Sequence, residues 1–372
     1  MTRVLFATGG SGGHIYPALA VATELQARGV EVAFIGQEGG METSIVPQAG
    51  FSFYGVRAGK WDRFKPDPRQ AWQALLGLLD AKRTVQRLEP GLVVGFGGFA
   101  SFPGLVAALR LGVPIVMHEQ NAFPGRVTRW LSSRAHLIAT AQPEVSQRLP
   151  KAKGTVQVGL PVREVRVGKE EARRRLGLPQ DGKLVFVMGG SQGSVFLNRE
   201  LPKAYRALGG HGSTLTVLHS SGRRWQEELQ NEVAGLDGYR VQGFVEAPLA
   251  WAAADLAITR AGATTLAEAA FYGVPLLMVP LPSAADDHQS YNARAVEAAG
   301  AGIVVPESQI ETLAPTWRAL LDDRVLVTAS QAALGRSPQG AAAHMAKLLT
   351  DVLATPSTQQ AASLKMETRE PS

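Results

Sequence analysis

Twice along the chain a short apolar run ends in Gly-Gly-Ser-x-Gly. "LFATGGSGG" occupies 5–13 and "VFVMGGSQG" 185–193, which sets Gly9 and Gly189 180 positions apart. A strand that runs into bare backbone and then into a helix is the opening move of a doubly wound α/β domain. Its recurrence in one chain predicts two such domains.

The rest of the chain follows the same grammar. Apolar runs at 3–8, 31–36, 92–96, 114–119 and 137–141 predict strands, with helical stretches such as "PALAVATELQAR" between them. The grammar restarts at 184–189, 214–221, 239–244, 256–260, 275–280 and 301–306. This alternation predicts parallel strands with helices on both faces. The fold class is therefore α/β, two Rossmann-like doubly wound parallel-sheet domains, at 1–160 and 161–336. The join falls near "VGLPVREV", where Gly159 and Pro161 interrupt the pattern. A helix is expected over 337–355 and a polar, disordered tail over 356–372. At 372 residues the chain is too long for one ordinary core.

Composition narrows the chemistry. The chain has no cysteine, which excludes a disulfide framework, a cysteine nucleophile and thiolate metal sites. A net charge of +6, scattered along the length, favours an anionic substrate or surface over nucleic acid. The apolar start "VLFA" is too short for a signal peptide, and no apolar run is long enough to span a membrane.

Glycine turns of this kind let backbone approach a ligand, and the helix that follows offers N–H groups and a positive dipole end to an anion. A tight turn with no ligand is the plainer reading of either one alone. Neither turn is a dinucleotide fingerprint: Ser11 stands where a glycine is needed when counting from Gly9, and Ile15 when counting from Gly10. No phosphate loop of the G-x-x-x-x-G-K-[ST] kind occurs, and "ADDH" at 285–288 is a poor metal site, so no metal or cofactor is expected.

Seven segments together carry a resemblance: "TGGSGGHIYPALA", "GFGGFAS", "HEQNAFPG", "VGLPVR", "GGSQGS", "RAGATTLAE" and "DDHQSYNA". In order and context they resemble the MurG family, the undecaprenyl-diphospho-muramoylpentapeptide N-acetylglucosaminyltransferases of glycosyltransferase family 28. The resemblance runs from the first strand to the last helix. It implies a GT-B fold, two Rossmann-like domains facing across a cleft. It also implies inverting transfer of N-acetylglucosamine from UDP to the 4-hydroxyl of the muramoyl sugar of lipid I, giving lipid II for peptidoglycan. The first domain would then bind acceptor and membrane, and the second UDP-N-acetylglucosamine. A peripheral place on the cytoplasmic face of the cell membrane follows, on its inner leaflet, with cell-wall synthesis and division proteins as partners and no nucleic acid.

Residue roles come with the resemblance. Ser191 resembles the serine at the donor diphosphate, and Val245 the residue whose backbone reads uracil. Gln289 and Asn292 resemble the pair that grips the transferred sugar, and Asn121 and Arg163 resemble donor-binding positions. Ser11, Gly12 and Gly13 are expected near the donor as well. Gly9, Gly10, Gly12, Gly13, Gly97 and Gly98 are expected at the acceptor diphosphate. In "RAGATTLAE", Ala263, Thr264 and Thr265 open a helix whose N–H groups can meet a phosphate, and the Glu268 carboxylate can accept from both ribose hydroxyls. Two departures stand out. Leu160 replaces an asparagine common before "PVR", and Asp287 and His288 replace a basic and an amide residue, which implies a less positive rim.

His14 ends the first glycine stretch. An imidazole titrates near neutrality and suits removal of the acceptor's proton. A packed histidine in a turn is the alternative. Glu119 and His118, in "HEQN", compete for the role of base, and His118 could instead hold the acceptor loop. Finally, Trp72, Leu75, Leu76 and Leu79 recur at helical spacing beside Lys82 and Arg83. Such a stripe fits either a membrane-contact face or an ordinary buried helix face.

Overall fold

The computed structural model describes residues 3–57, 68–190, 192–209, 214–337 and 339–354. They form two compact units. Unit 1 comprises Met1–Gln120, Pro124–Pro161 and Gly340–Ser372; unit 2 comprises Asn121–Phe123 and Val162–Gln339.

In unit 1 the strands are β1 (Arg3–Ala7), β2 (Glu31–Gln37), β3 (Ser52–Val56), β4 (Leu92–Gly95), β5 (Ile115–Glu119), β6 (Leu137–Thr140) and β7 (Thr155–Gln157). They make one parallel sheet in the order β3-β2-β1-β4-β5-β6-β7. The helices are α1 (Gly12–Ala27), α2 (Glu42–Gln48), α3 (Pro68–Leu88), α4 (Phe102–Arg110) and α5 (Arg126–Leu131). Period-two alternation divides β1 between two cores: Val4 and Phe6 pack on one face of the sheet, Leu5 and Ala7 on the other. All four are fully buried, which is why this strand reads as an unbroken apolar run.

Unit 2 repeats the plan with α6 (Lys169–Arg175), β8 (Lys183–Met188), α7 (Val195–Ala207), β9 (Leu215–Ser220), α8 (Gln226–Glu232), β10 (Tyr239–Gln242), α9 (Ala247–Ala253), β11 (Leu256–Thr259), α10 (Ala263–Tyr272), β12 (Leu276–Met278), α11 (His288–Ala298), β13 (Gly302–Val304), α12 (Leu313–Leu320) and α13 (Asp323–Gly335). Its sheet runs β10-β9-β8-β11-β12-β13, so β8 holds the place that β1 holds in unit 1. Leu184 and Phe186 enter one core, Val185 and Val187 the other.

Beyond unit 2 the chain forms α14 (Ala341–Ala354), which packs on α1 of unit 1. Met345, Ala346 and Leu349 join the core that holds Val4 and Phe6, and the Arg28 guanidinium donates to the Ala343 carbonyl at 3.0 Å.

The structure departs from the sequence reading in two places. Strands β3 and β7 were not expected. The helix expected from Pro17 begins instead at Gly12, so Gly12, Gly13 and His14 are helical and not loop. Residues 355–372, which take in the expected tail, lie outside the described residues.

Candidate functional site

In unit 1 the site grows from two turns at the carboxyl ends of adjacent strands. After β1 the chain passes through Gly9 (φ 150°) and Gly10 (φ 84°) to Ser11. After β4 it passes through Gly97 (φ 90°) and Gly98 (φ 75°). These dihedrals suit glycine, and so does the space. A Cβ on Gly98 would stand 2.5 Å from the Gly9 carbonyl oxygen, and one on Gly97 would stand 2.9 Å from Cδ2 of His14. The two turns and the His14 ring thus interlock. The Ser101 hydroxyl fastens the second turn by donating to the Gly98 carbonyl at 2.8 Å.

Ser11 sits at the N-cap of α1, but its side chain does not cap the helix. Its Oγ lies 2.9 Å from Nδ1 of His14 instead. The α1 start therefore keeps its dipole end without a side-chain cap. Gly10, expected at the acceptor diphosphate, donates its N–H inward to Oε2 of Glu42 at 3.3 Å. Gly13 lies in the first turn of α1 and has no positive φ, so its backbone needs no special freedom.

The rivals of His14 are engaged elsewhere. His118 is buried, and its Nε2 donates to the Gly159 carbonyl at 2.8 Å. Burial pushes its imidazole down to about 4, so it is neutral at pH 7 and acts as a tether for the turn after β7. Glu119 is also buried, and its Oε2 accepts from Gly125 N–H at 2.9 Å and from the Thr128 hydroxyl at 2.6 Å, closing the start of α5.

On α3 the outer stripe is at the surface. Trp72, Leu75 and Leu79 are 59%, 49% and 47% exposed, while Ala81, Val85 and Leu88 turn inward to the core. Leu76 is half-buried, and Lys82 and Arg83 are exposed beside the stripe. A bidentate ion pair from Arg57 to Asp80, both contacts 2.7 Å, ties this helix to the end of β3 and holds the Asp80 carboxyl below its usual range. No helix among the described residues is long and apolar enough to cross a membrane.

In unit 2 the equivalent turn after β8 carries Gly190 (φ 99°) and Gly193 (φ 75°). A Cβ on Gly193 would overlap the Ser221 carbonyl, so the turn packs directly on the one after β9. Ser191 lies outside the described residues. Ser194 caps α7 through Leu197 N–H and accepts from Arg260 Nε at 3.1 Å. Arg260, just before the turn that opens α10, is 7% exposed. It donates to the carbonyls of Val279 and Pro280 and pairs with Glu307 at 2.7 Å. It braces the turn from behind.

Helix α10 starts at Ala263 behind Gly262 with no side-chain cap, and Thr264 and Thr265 lie in its first turn. Glu268 follows on the same helix. Its Oε2 accepts from Trp251 Nε1 at 3.2 Å, and desolvation raises the carboxyl to about 7. Trp251 was missed at the sequence level. A buried indole demands an acceptor, but its identity depends on how α9 meets α10.

Gln289 and Asn292, expected at the sugar hydroxyls, are engaged inside the unit. Gln289 Oε1 accepts from Ala261 N–H and Leu281 N–H. Asn292 is 4% exposed; its Oδ1 accepts from Ala122 N–H at 2.8 Å, and its Nδ2 donates to Asn121 Oδ1 and to the Ala261 carbonyl. Asn121 is thereby joined to the turn that opens α10. Just before α11, which carries Gln289 and Asn292, Asp286 and Asp287 both adopt positive φ, 51° and 53°. Val245 is buried in a core, next to Phe244, which is 63% exposed under the Arg223 guanidinium. Arg163 is exposed.

Two models of one family match the chain. Residues 4–140 match the glycosyltransferase family 28 N-terminal domain, and 184–345 the family 28 C-terminal domain. A Deinococcus deserti protein named UDP-N-acetylglucosamine–N-acetylmuramyl-(pentapeptide) pyrophosphoryl-undecaprenol N-acetylglucosamine transferase is 46% identical, over 94% of this chain and 98% of its own length. The protein of the same name from Thermus thermophilus is 43% identical, over 93% and 98%. Among solved structures, Acinetobacter baumannii MurG aligns with a TM-score of 0.76 at 29% identity, covering 94% of this chain and all of that one.

Proposed function

The chain belongs to glycosyltransferase family 28, and on that footing we propose that it moves N-acetylglucosamine from UDP to the 4-hydroxyl of the muramoyl sugar of lipid I, with inversion, to make lipid II. The constellation at the start of α1 carries this reading. There a helix N-terminus, two interlocked glycine turns and an imidazole oriented by Ser11 stand together.

The roles follow from the chemistry. With Nδ1–H donating to Ser11 Oγ, Nε2 of His14 takes the proton of the acceptor hydroxyl as that oxygen attacks the anomeric carbon. The bond from that carbon to the UDP oxygen breaks, and negative charge grows on the diphosphate. The uncapped start of α10 meets that charge with N–H groups and a dipole. Glu268 takes the ribose hydroxyls once ionised. Trp251 and Arg260 act behind these groups, orienting the carboxylate and the turn. The acceptor's diphosphate is met at the α1 start.

The acceptor is a lipid, and the α3 stripe supplies the means of reaching it. Trp72, Leu75 and Leu79 enter the headgroup region while Lys82 and Arg83 meet anionic lipid. This makes the protein peripheral on the inner leaflet of the cytoplasmic membrane, beside proteins of wall synthesis and division. Radiolabelled UDP-N-acetylglucosamine and a lipid I analogue test the reading, with and without EDTA. Labelled lipid II in both arms is expected, since N–H groups and helix dipoles meet the diphosphate here. Release of a free epimer, or binding without turnover, would overturn the transferase reading.

A further inference from the structure

Glycine alone does not shape the turn before His14. Glu42, the first residue of α2, has no exposed surface. Its Oε1 accepts from Gln37 N–H at 3.0 Å and its Oε2 from Gly10 N–H at 3.3 Å. Glycines wall it in. A Cβ on Gly9 would overlap Oε1, one on Gly40 would stand 2.6 Å from Oε2, and one on Gly36 would stand 3.1 Å from Cγ. Among the described residues no Lys, Arg or His pairs with this carboxylate.

A buried carboxylate without a cation is unfavourable, and an apolar side chain of the same volume fills such a space at least as well. What an apolar side chain cannot do is hold two N–H groups at once, one at the end of β2 and one in the turn after β1. Glu42 turns Gly10 N–H inward, and the next residue, Ser11, is delivered with its Oγ at Nδ1 of His14. The Gly9 carbonyl is pressed at the same time against Gly98.

We propose that Glu42 is a positioning residue for His14: by fixing Gly10 it fixes Ser11, and through Ser11 the imidazole. The proposal rests on His14 serving as the base.

Glu42→Gln keeps the shape and exchanges one acceptor oxygen for an amide. Its kcat for transfer to a lipid I analogue should fall about ten- to hundredfold, the effect of a slightly misplaced catalytic group. The KM for UDP-N-acetylglucosamine should not move. In a His14→Ala background the same change should cost nothing further, because the group it orients is gone. Glu42→Asp, whose carboxylate is withdrawn by one methylene, should lose kcat in the same direction. Undiminished turnover in Glu42→Gln overturns the proposal, as does a loss that multiplies with that of His14→Ala. Absence of a cooperative melting transition in both Glu42 variants makes Glu42 a stability residue and overturns it too. Normal turnover by His14→Ala removes the base and this proposal together, whereas a His14→Ala defect with normal Glu42→Gln turnover removes this proposal alone.

Discussion

The hydroxyl of Ser11 stands 2.9 Å from Nδ1 of His14, at the first turn of α1. Ser11 holds the extended backbone of an N-cap residue, φ −160° and ψ 156°, but gives its side chain to the imidazole and not to the helix. A serine that merely ended the turn would cap, as Ser194 does at α7. Ser11 orients a ring instead.

Replacement of His14 should therefore separate binding from chemistry. His14→Ala should bind both substrates and lower kcat by roughly 10²–10⁴, the usual worth of a positioned base. The defect should be plain near neutral pH, where a general base has to work. Steady-state kinetics with a lipid I analogue check this, and near-normal turnover would overturn His14 as the base.

Glu268 should make donor binding depend on pH. Desolvation holds its carboxyl at about 7, and only the ionised form accepts from two ribose hydroxyls. UDP affinity should rise with pH through that value, and Glu268→Gln should flatten the profile. Glu268→Ala should weaken UDP by about 2–4 kcal/mol. Stability should run the other way. The folded state keeps this proton more tightly than the unfolded chain, so its contribution declines as pH rises from 4.5 to about 7. Calorimetry of UDP binding and melting curves across pH measure the two slopes.

On α3 the polar triple variant Trp72→Ser, Leu75→Ser, Leu79→Ser should lose binding to vesicles containing anionic lipid and retain UDP affinity. These side chains are about half exposed, so the melting temperature should change little. A large fall in melting temperature would show that the stripe packs on protein.

Helix α14 should matter to unit 1. Leu349 is fully buried in the core with Val4 and Phe6, and Leu349→Ala should destabilise by about 2–5 kcal/mol, read by denaturant unfolding. A surface-like effect below about 0.5 kcal/mol would contradict that packing.

The central strands were legible in the sequence because each is covered on both faces. Val4, Leu5, Phe6 and Ala7 must all be apolar when two cores claim alternate residues, and the same holds for Leu184 to Val187. Strands β3 and β7 stand at the sheet edges, where "SFYGV" and "TVQ" keep exposed positions and lose the continuous run that marks a buried strand. The glycine turns were legible for a similar reason: positive φ and close approach both exclude a side chain, and glycine records that locally. Partner choice is not local. Gly10 N–H meets Glu42, His118 meets Gly159, and Asn292 meets Ala122 across 170 positions. Local residue pattern is enough for the central strands of both sheets, their glycine turns and the residue types gathered there. Only the tertiary structure decided which buried polar group faces a ligand and which is tied to backbone, because each must find a hydrogen-bond partner and the fold alone brings that partner within reach.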